Sequence, residues 1–159
     1  MALGPDLAPL GRVRLVLQRV TRAAVSWDDQ RREIGPGLVI LVGVGPTDDE
    51  ATAERLATRT AQLRIFEDAE GKTNLSLAET AGEALVVSQF TLYADLNRGR
   101  RPGFTGAAPP DQADRVYRHY AASLAALQIP VKTGSFGAEM DVELVNHGPF
   151  TIVVDTDNL

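Results

Sequence analysis

Leu38-Val39-Ile40-Leu41-Val42-Gly43-Val44 follows the turn signal Gly35-Pro36-Gly37 and contains no polar side chain. An unbroken apolar run bounded by turn residues reads as a strand covered on both faces, because a half-exposed strand would alternate. Such a strand needs layers on either side, and the flanking sequence supplies them. Upstream, Val13, Leu15 and Leu17 alternate with Arg14, Val16 and Gln18, which marks a strand with Arg19 on its apolar face. Ala23, Val25 and Trp27 continue the pattern to a turn at Asp28-Asp29. Downstream, Thr47-Asp48-Asp49-Glu50 reads as a capping box, with Thr47 accepting from the backbone N–H of Glu50. The helix it opens carries Ala53, Leu56, Ala57 and Leu63 at three-to-four spacing.

Further on, Ala84-Leu85-Val86-Val87-Ser88-Gln89-Phe90 reads as another buried strand, followed by a polar loop from Asp95 to Ala108. Pro109-Pro110 opens a second helix, striped by Ala113, Val116, Tyr117, Tyr120, Ala121, Leu124 and Leu127. Met140, Val142 and Leu144 then alternate with Glu139, Asp141 and Glu143, a half-exposed strand with an acidic outer face. Phe150-Thr151-Ile152-Val153-Val154 is the last strand. The order of strands, helix, strand, helix and strands predicts an α/β architecture of mixed β-sheet with two long helices, in a single domain over 12–159. Residues 1–11 hold two Pro and two Gly without periodicity, and read as a disordered extension or the product of an upstream start codon.

Composition narrows the function. At 159 residues and 44% hydrophobic, one ordinary core suffices. The absence of Cys excludes disulfides, Cys-ligated zinc and iron–sulfur centres, and two His exclude a His-rich metal site, so no metal or cofactor is expected. No apolar run approaches the roughly 18–20 residues of a membrane span. The N-terminus lacks a basic region followed by an apolar one, so the expectation is a cytoplasmic protein without a membrane partner. A net charge of −5 argues against a general nucleic-acid coat but leaves room for one RNA end held by a local patch. Of the 16 positive residues 14 are Arg, whose planar fork suits phosphate. Arg98, Arg100 and Arg101 lie in an acid-free stretch from Leu96 to Pro110, which is either such a patch or a solvated loop.

Several motifs fail. Glu70-Gly71-Lys72-Thr73 looks like the end of a phosphate-binding loop, but Phe66 stands where that loop needs its first Gly. Gly134-Ser135-Phe136-Gly137 has the wrong spacing for a serine-hydrolase elbow. His119 reads as a half-exposed helix residue, and without a well-placed His no Ser or Thr nucleophile has an obvious base.

Two segments remain. Ser88-Gln89-Phe90-Thr91-Leu92 places polar groups at the C-terminal mouth of a buried strand. Asn146-His147-Gly148-Pro149 interrupts pairing between two strands, because Pro supplies no ladder hydrogen bond. Gly before Pro removes a Cβ clash and admits unusual backbone angles. With these segments the chain resembles the D-aminoacyl-tRNA deacylases of the bacterial and eukaryotic type. The words that carry the resemblance are LQRVTRA (17–23), EIGPGL (33–38), EGKTNLSL (70–77), VVSQFTLYAD (86–95), GRRPGF (99–104) and NHGPFTIVVDT (146–156), in the family's order. Thr73 stands where the family commonly has Met, His147 where an acid is common, and the N-terminal extension is unusual.

The resemblance implies a homodimer that hydrolyses the ester joining a D-amino acid, or glycine, to the 3′-terminal adenosine of tRNA. It implies a barrel-like layered arrangement of the mixed sheets. It assigns Gly148-Pro149 to a Gly-cis-Pro pair that enters the neighbouring subunit's pocket and rejects L-residues, with Arg19 orienting it. Ser88, Gln89, Phe90 and Thr91 would line the pocket beside the scissile ester, and Phe136 and Met140 would lie close to the terminal adenine. Thr91 is assigned to orientation and backbone N–H donation, not to covalent catalysis. The competing reading is an RNA 3′-end-binding protein without turnover.

Overall fold

The two longest strands, β1 (Arg14–Trp27) and β8 (Asp141–Val154), run antiparallel and organise everything else. The computed structural model describes residues 13–155, so the expected extension at 1–11 lies outside the described residues. Along its other edge β1 pairs antiparallel with β3 (Gly37–Gly43) through Arg14–Val20 and with β2 (Gln30–Ile34) through Ala23–Trp27. Beyond β3 the sheet continues in parallel with β6 (Glu83–Ser88) and then β7 (Val131–Thr133). Parallel neighbours cannot be joined by a hairpin, so each junction needs a crossover. The first contains α1 (Glu50–Gln62) and a small hairpin of β4 (Phe66–Glu67) and β5 (Thr73–Leu75); the second contains α2 (Pro110–Ala126).

The apolar run at 38–44 is buried on both faces, as its lack of alternation requires. Leu38, Ile40 and Val42 join Leu15, Leu17 and Val86 against Leu56 and Ala57 of α1 and Val116, Tyr120 and Leu124 of α2. Val39 faces the other way, into a second cluster with Leu85, Val87, Val20, Val25 and Ile34, with Met140 and Leu144 packed against it. That second cluster exists because the distal half of β1, β2 and the start of β8 curl over the sheet, nearly closing it into a barrel. The curl coincides with register shifts between β1 and β8 around Val20 and Arg22, where an unpaired residue bends the ladder. The expected mixed α/β fold with two helices is therefore what forms.

Four local expectations are corrected. The N-cap of α1 is Asp49, whose carboxylate accepts from Thr52 N at 2.9 Å, and not Thr47. Thr47 lies within the preceding turn, closed by Asp48 N donating to Gly45 O at 3.2 Å. The strand at 84–90 stops at Ser88, and Phe90–Tyr93 form a 3-10 turn. The segment at 146–149 does not separate two strands but is an outward bulge within the single strand β8. Leu127 is the C-cap of α2 and exposed, so the buried stripe ends at Leu124.

The two helices are tied by one buried polar contact, Tyr120 Oη to Thr60 Oγ1 at 2.8 Å. Burial pushes the Tyr120 phenol well above its ordinary pKa, so it stays neutral. Thr60 also donates to Leu56 O at 2.8 Å and keeps a partner if the phenol is removed. Tyr120→Phe is accordingly expected to cost about 1 kcal/mol in urea unfolding, the net worth of a single hydrogen bond.

Candidate active site

At the end of β6 the chain leaves the sheet through Gln89, whose N–H donates to Val42 O at 2.8 Å, and closes into the 3-10 turn Phe90–Tyr93. The turn lies tight against β3 because residue 43 is glycine: a Cβ there would stand 2.9 Å from Leu92 Cβ and 3.2 Å from Gln89 O. Arg14 clamps it from the side, donating to Leu92 O at 2.8 Å with its guanidinium 4.5 Å from the centroid of Tyr93. Within the segment, Gln89 Nε2 donates to Thr91 Oγ1. Phe90 and Thr91 open the turn, and N–H groups in that position have no acceptor inside it.

Ser88, Gln89 and Phe90 form one wall of a cavity of about 560 Å³, and Phe136 and Met140 form another. Five predicted site residues are thus brought together from two distant stretches of sequence. Thr91 is exposed and not part of the wall; its side chain is tied to the wall through Gln89. Met140 is fixed by Ser135 N donating to its sulfur at 3.3 Å, and Phe136 lies 6.2 Å from the ring of Tyr117. Burial pushes the Tyr117 phenol up from its ordinary pKa, and it too is neutral. Phe104, Ala107, Ala108 and Ala113 complete the lining with Gly137 and Ala138, and sequence reasoning missed them. The available signal was the run of small residues Gly106-Ala107-Ala108 just before the α2 stripe, which leaves a void where larger side chains would fill it. Among the described residues, no Asp, Glu, His, Lys or Arg contributes to the lining.

Gly148 and Pro149 lie elsewhere. On β1, Gln18 pairs with Thr151 and Val20 with Asn146, so Arg19 alone stands opposite the four residues 147–150. The surplus is extruded as an exposed bulge with a cis bond between Gly148 and Pro149. Arg19 is buried beneath it. Its Nε donates to His147 O at 3.0 Å, its Nη1 to Ile65 O at 2.8 Å, and its guanidinium packs 4.5 Å from the centroid of Phe150. Asn146 closes the base, with Oδ1 accepting from Phe150 N at 2.6 Å and Nδ2 donating to Thr151 Oγ1 at 2.9 Å. Neither Gly148 nor Pro149 lines the cavity of its own chain. Val142 does, and it precedes Gly148 by six positions, roughly 20 Å of extended strand.

Arg98, Arg100 and Arg101 are exposed at the tip of the loop that leaves the 3-10 turn. The loop is closed at its base by reciprocal bonds, Asp95 N to Gly103 O at 2.7 Å and Gly103 N to Asp95 O at 2.9 Å. Neither His is on the cavity wall, and His119 bonds Glu54 at 2.8 Å across the two helices. Among the described residues no helix is long and apolar enough to cross a membrane.

The same fold occurs in a solved structure described as a probable eukaryotic D-amino acid tRNA deacylase, with a TM-score of 0.80 over 91% of this chain and 99% of that one at 17% identity. Fold and relatives together define an ester hydrolase of the aminoacyl-tRNA deacylase class. More particularly, the chain belongs to the D-Tyr-tRNA(Tyr) deacylase family, whose model matches residues 16–155. It is 53% identical over 146 residues to a D-aminoacyl-tRNA deacylase of Symbiobacterium thermophilum, covering 91% of this chain and 97% of that one. It is 55% identical over 148 residues to one of Thermomicrobium roseum, covering 92% and 96%. A solved structure named c-Myc DNA Unwinding Element Binding Protein is 36% identical, with a TM-score of 0.82 over 89% of this chain and 97% of that one.

The bulge is sensitive to any added atom. Gly148 has φ +138°, and a Cβ there would lie 3.0 Å from both Arg19 Nη2 and Phe150 N. Gly148→Ala is expected to cost about 1–3 kcal/mol in urea unfolding, because an L side chain is strained in that backbone region.

Proposed function

We propose that the chain hydrolyses the ester between a D-amino acid, or glycine, and the 3′-terminal adenosine of tRNA, acting as a homodimer in which each Gly148-Pro149 bulge completes the neighbour's cavity. The observation that carries this reading is the placement of the bulge. It is built outward by an unequal strand pairing, anchored from below by Arg19, and set apart from the cavity of its own chain. A second copy offers it a destination. The outer edge of β8 suits such a contact, since β8 pairs only with β1 among the described residues and exposes Val145. Unpaired strand edges bearing apolar side chains are surfaces that another chain covers.

The wall of the cavity bears on mechanism. With no titratable side chain on it, general acid–base catalysis by the enclosing residues has no candidate. An aminoacyl ester is already activated, so holding the carbonyl and stabilising its oxyanion are the contributions left to the protein. The backbone N–H groups of Phe90 and Thr91, at the open end of the 3-10 turn, are the donors for that oxyanion. Water adds to the carbonyl carbon. The tetrahedral intermediate then expels the ribose 3′ oxygen, which takes up a proton with assistance from the adjacent 2′-OH. Phe136 and Met140 would border the adenine, and Ser88 and Gln89 would orient the ester. Arg98, Arg100 and Arg101 would meet the phosphates of the acceptor end.

Discrimination follows from presenting backbone, not a side-chain pocket, to Cα of the aminoacyl group. A backbone wall excludes the L side chain whatever its identity, while a D side chain points away and glycine has none. Selectivity is then rejection of one hand with tolerance of many side chains.

The purified protein is expected to release D-tyrosine from D-tyrosyl-tRNA and to leave L-tyrosyl-tRNA intact. No release at micromolar protein would favour the second reading, nucleic-acid end binding without turnover, which the resemblance to the c-Myc DNA Unwinding Element Binding Protein keeps in view. Sedimentation at assay concentration is expected to give the mass of two chains; an active single-chain species would contradict the cross-subunit arrangement.

A further inference from the structure

We propose that Phe104 is a stacking platform for a base of the single-stranded 3′ end, the nucleotide preceding the terminal adenosine; this rests on the deacylase reading above. The rings of Phe90 and Phe104 meet edge to face, centroids 5.1 Å apart and planes at 70°, at the border of the cavity. In that arrangement each ring keeps at least one face uncovered by its partner. The pair is not core: Phe90 is 55% and Phe104 37% exposed.

The position of Phe104 gives this aromatic surface its ligand class. It immediately follows Gly103, whose reciprocal bonds with Asp95 close residues 96–102 into an arm. That arm carries Arg98, Arg100 and Arg101 at exposed positions. The acid at its base is engaged within the loop, since Asp95 Oδ1 accepts from Asn97 N and Asn97 Nδ2, each at 2.9 Å. Going outward from the cavity, the surface is therefore neutral and apolar at the cleft, aromatic at Phe104 and cationic on the arm. A single strand whose last nucleoside occupies the cavity has the same sequence of demands. Its next base needs a flat apolar surface, and its phosphates need cations. Stacking on an aromatic ring beside a basic track is how single strands are held without base-specific hydrogen bonds. Phe90 shares the ring contact but belongs to the turn beside the reacting carbonyl, whereas Phe104 stands on the side toward the arm.

The test compares two substrates that differ only beyond the terminal nucleoside: D-tyrosyl-tRNA and the D-tyrosyl ester of adenosine. Phe104→Ala is expected to raise KM for the tRNA about tenfold with kcat retained, the scale of one lost base stack. KM for the adenosine ester should rise far less, by the share that Phe104 contributes as a border of the cavity, and Phe104→Trp should restore wild-type KM on the tRNA. Equal loss on both substrates would overturn the proposal and make Phe104 a wall of the cavity only. Unchanged kinetics on both would overturn it as well. A wild-type protein that hydrolyses neither ester would instead remove the deacylase reading on which the proposal stands, so the two failures are distinguishable.

Discussion

One mismatch in strand pairing controls the functional geometry: a single residue of β1, Arg19, faces four residues of β8. A ladder cannot absorb that surplus in plane, so residues 147–150 leave the sheet. An extruded loop would ordinarily leave its backbone groups to water, and here a buried guanidinium takes up the carbonyl of His147 and Asn146 Oδ1 the N–H of Phe150. Arg suits the position because one planar fork reaches the carbonyls of His147 and Ile65 at once, and its face stacks on Phe150. A lysine at this position would supply charge without the fork. The bulge is therefore a rigid outward feature of the sheet, joined through Arg19 to the segment that follows α1.

The cavity depends on a different economy of atoms. Gly43 lets the 3-10 turn come down onto β3, and small residues at 107, 108, 113, 137 and 138 leave the space that Phe90, Phe104, Phe136 and Met140 border. Its wall has hydroxyl, amide, thioether and backbone groups but no charge, while the charged arginines sit on the arm outside. In the proposed reading, chemistry at the ester and attraction of the polyanion are thus separated in space. A charge inside the cleft would compete for the ammonium or carbonyl of such a substrate, whereas charge on the arm would act on phosphates without touching the reacting atoms.

Much of this was legible in advance, and the failures have physical causes. The apolar runs at 38–44 and 84–87 announced strands buried on both faces, and the stripes of α1 and α2 matched their buried sides except at their last members, the C-caps Leu63 and Leu127. The cap of α1 was misplaced from Asp49 to Thr47 because Thr47-Asp48-Asp49-Glu50 offers two overlapping signals, and the turn at 45–48 claimed the first of them. Ser88–Leu92 read as a strand end because Phe90 and Leu92 keep apolar alternation, yet Gly43 on the neighbouring strand let the chain turn there. Strand β2, with the sequence QRREI, carries almost no apolar pattern; it exists because β1 offers it a free edge. Among the site residues, Ser88, Gln89, Phe90, Phe136 and Met140 do meet at one cavity, whereas Phe104 was passed over inside what read as a polar loop.

The sequence by itself determined the element types, the two-sided burial of the central strand and the family words, because periodicity and composition are local properties of a chain. It also marked Arg19 as an apolar-face residue and Gly148-Pro149 as a break in pairing. The resemblance paired these two sites, and the tertiary structure supplied the contact, Arg19 Nε to the carbonyl of His147 beside Gly148. The tertiary structure also decided that residues near 90, 104 and 138 share one cavity, and that Gly148-Pro149 does not line it. Those relations depend on register between β1 and β8 and on the close approach permitted by Gly43. A register is a choice among pairings that differ by single residues, and it is settled by how many side chains each alternative can bury and how many backbone groups it leaves unpaired.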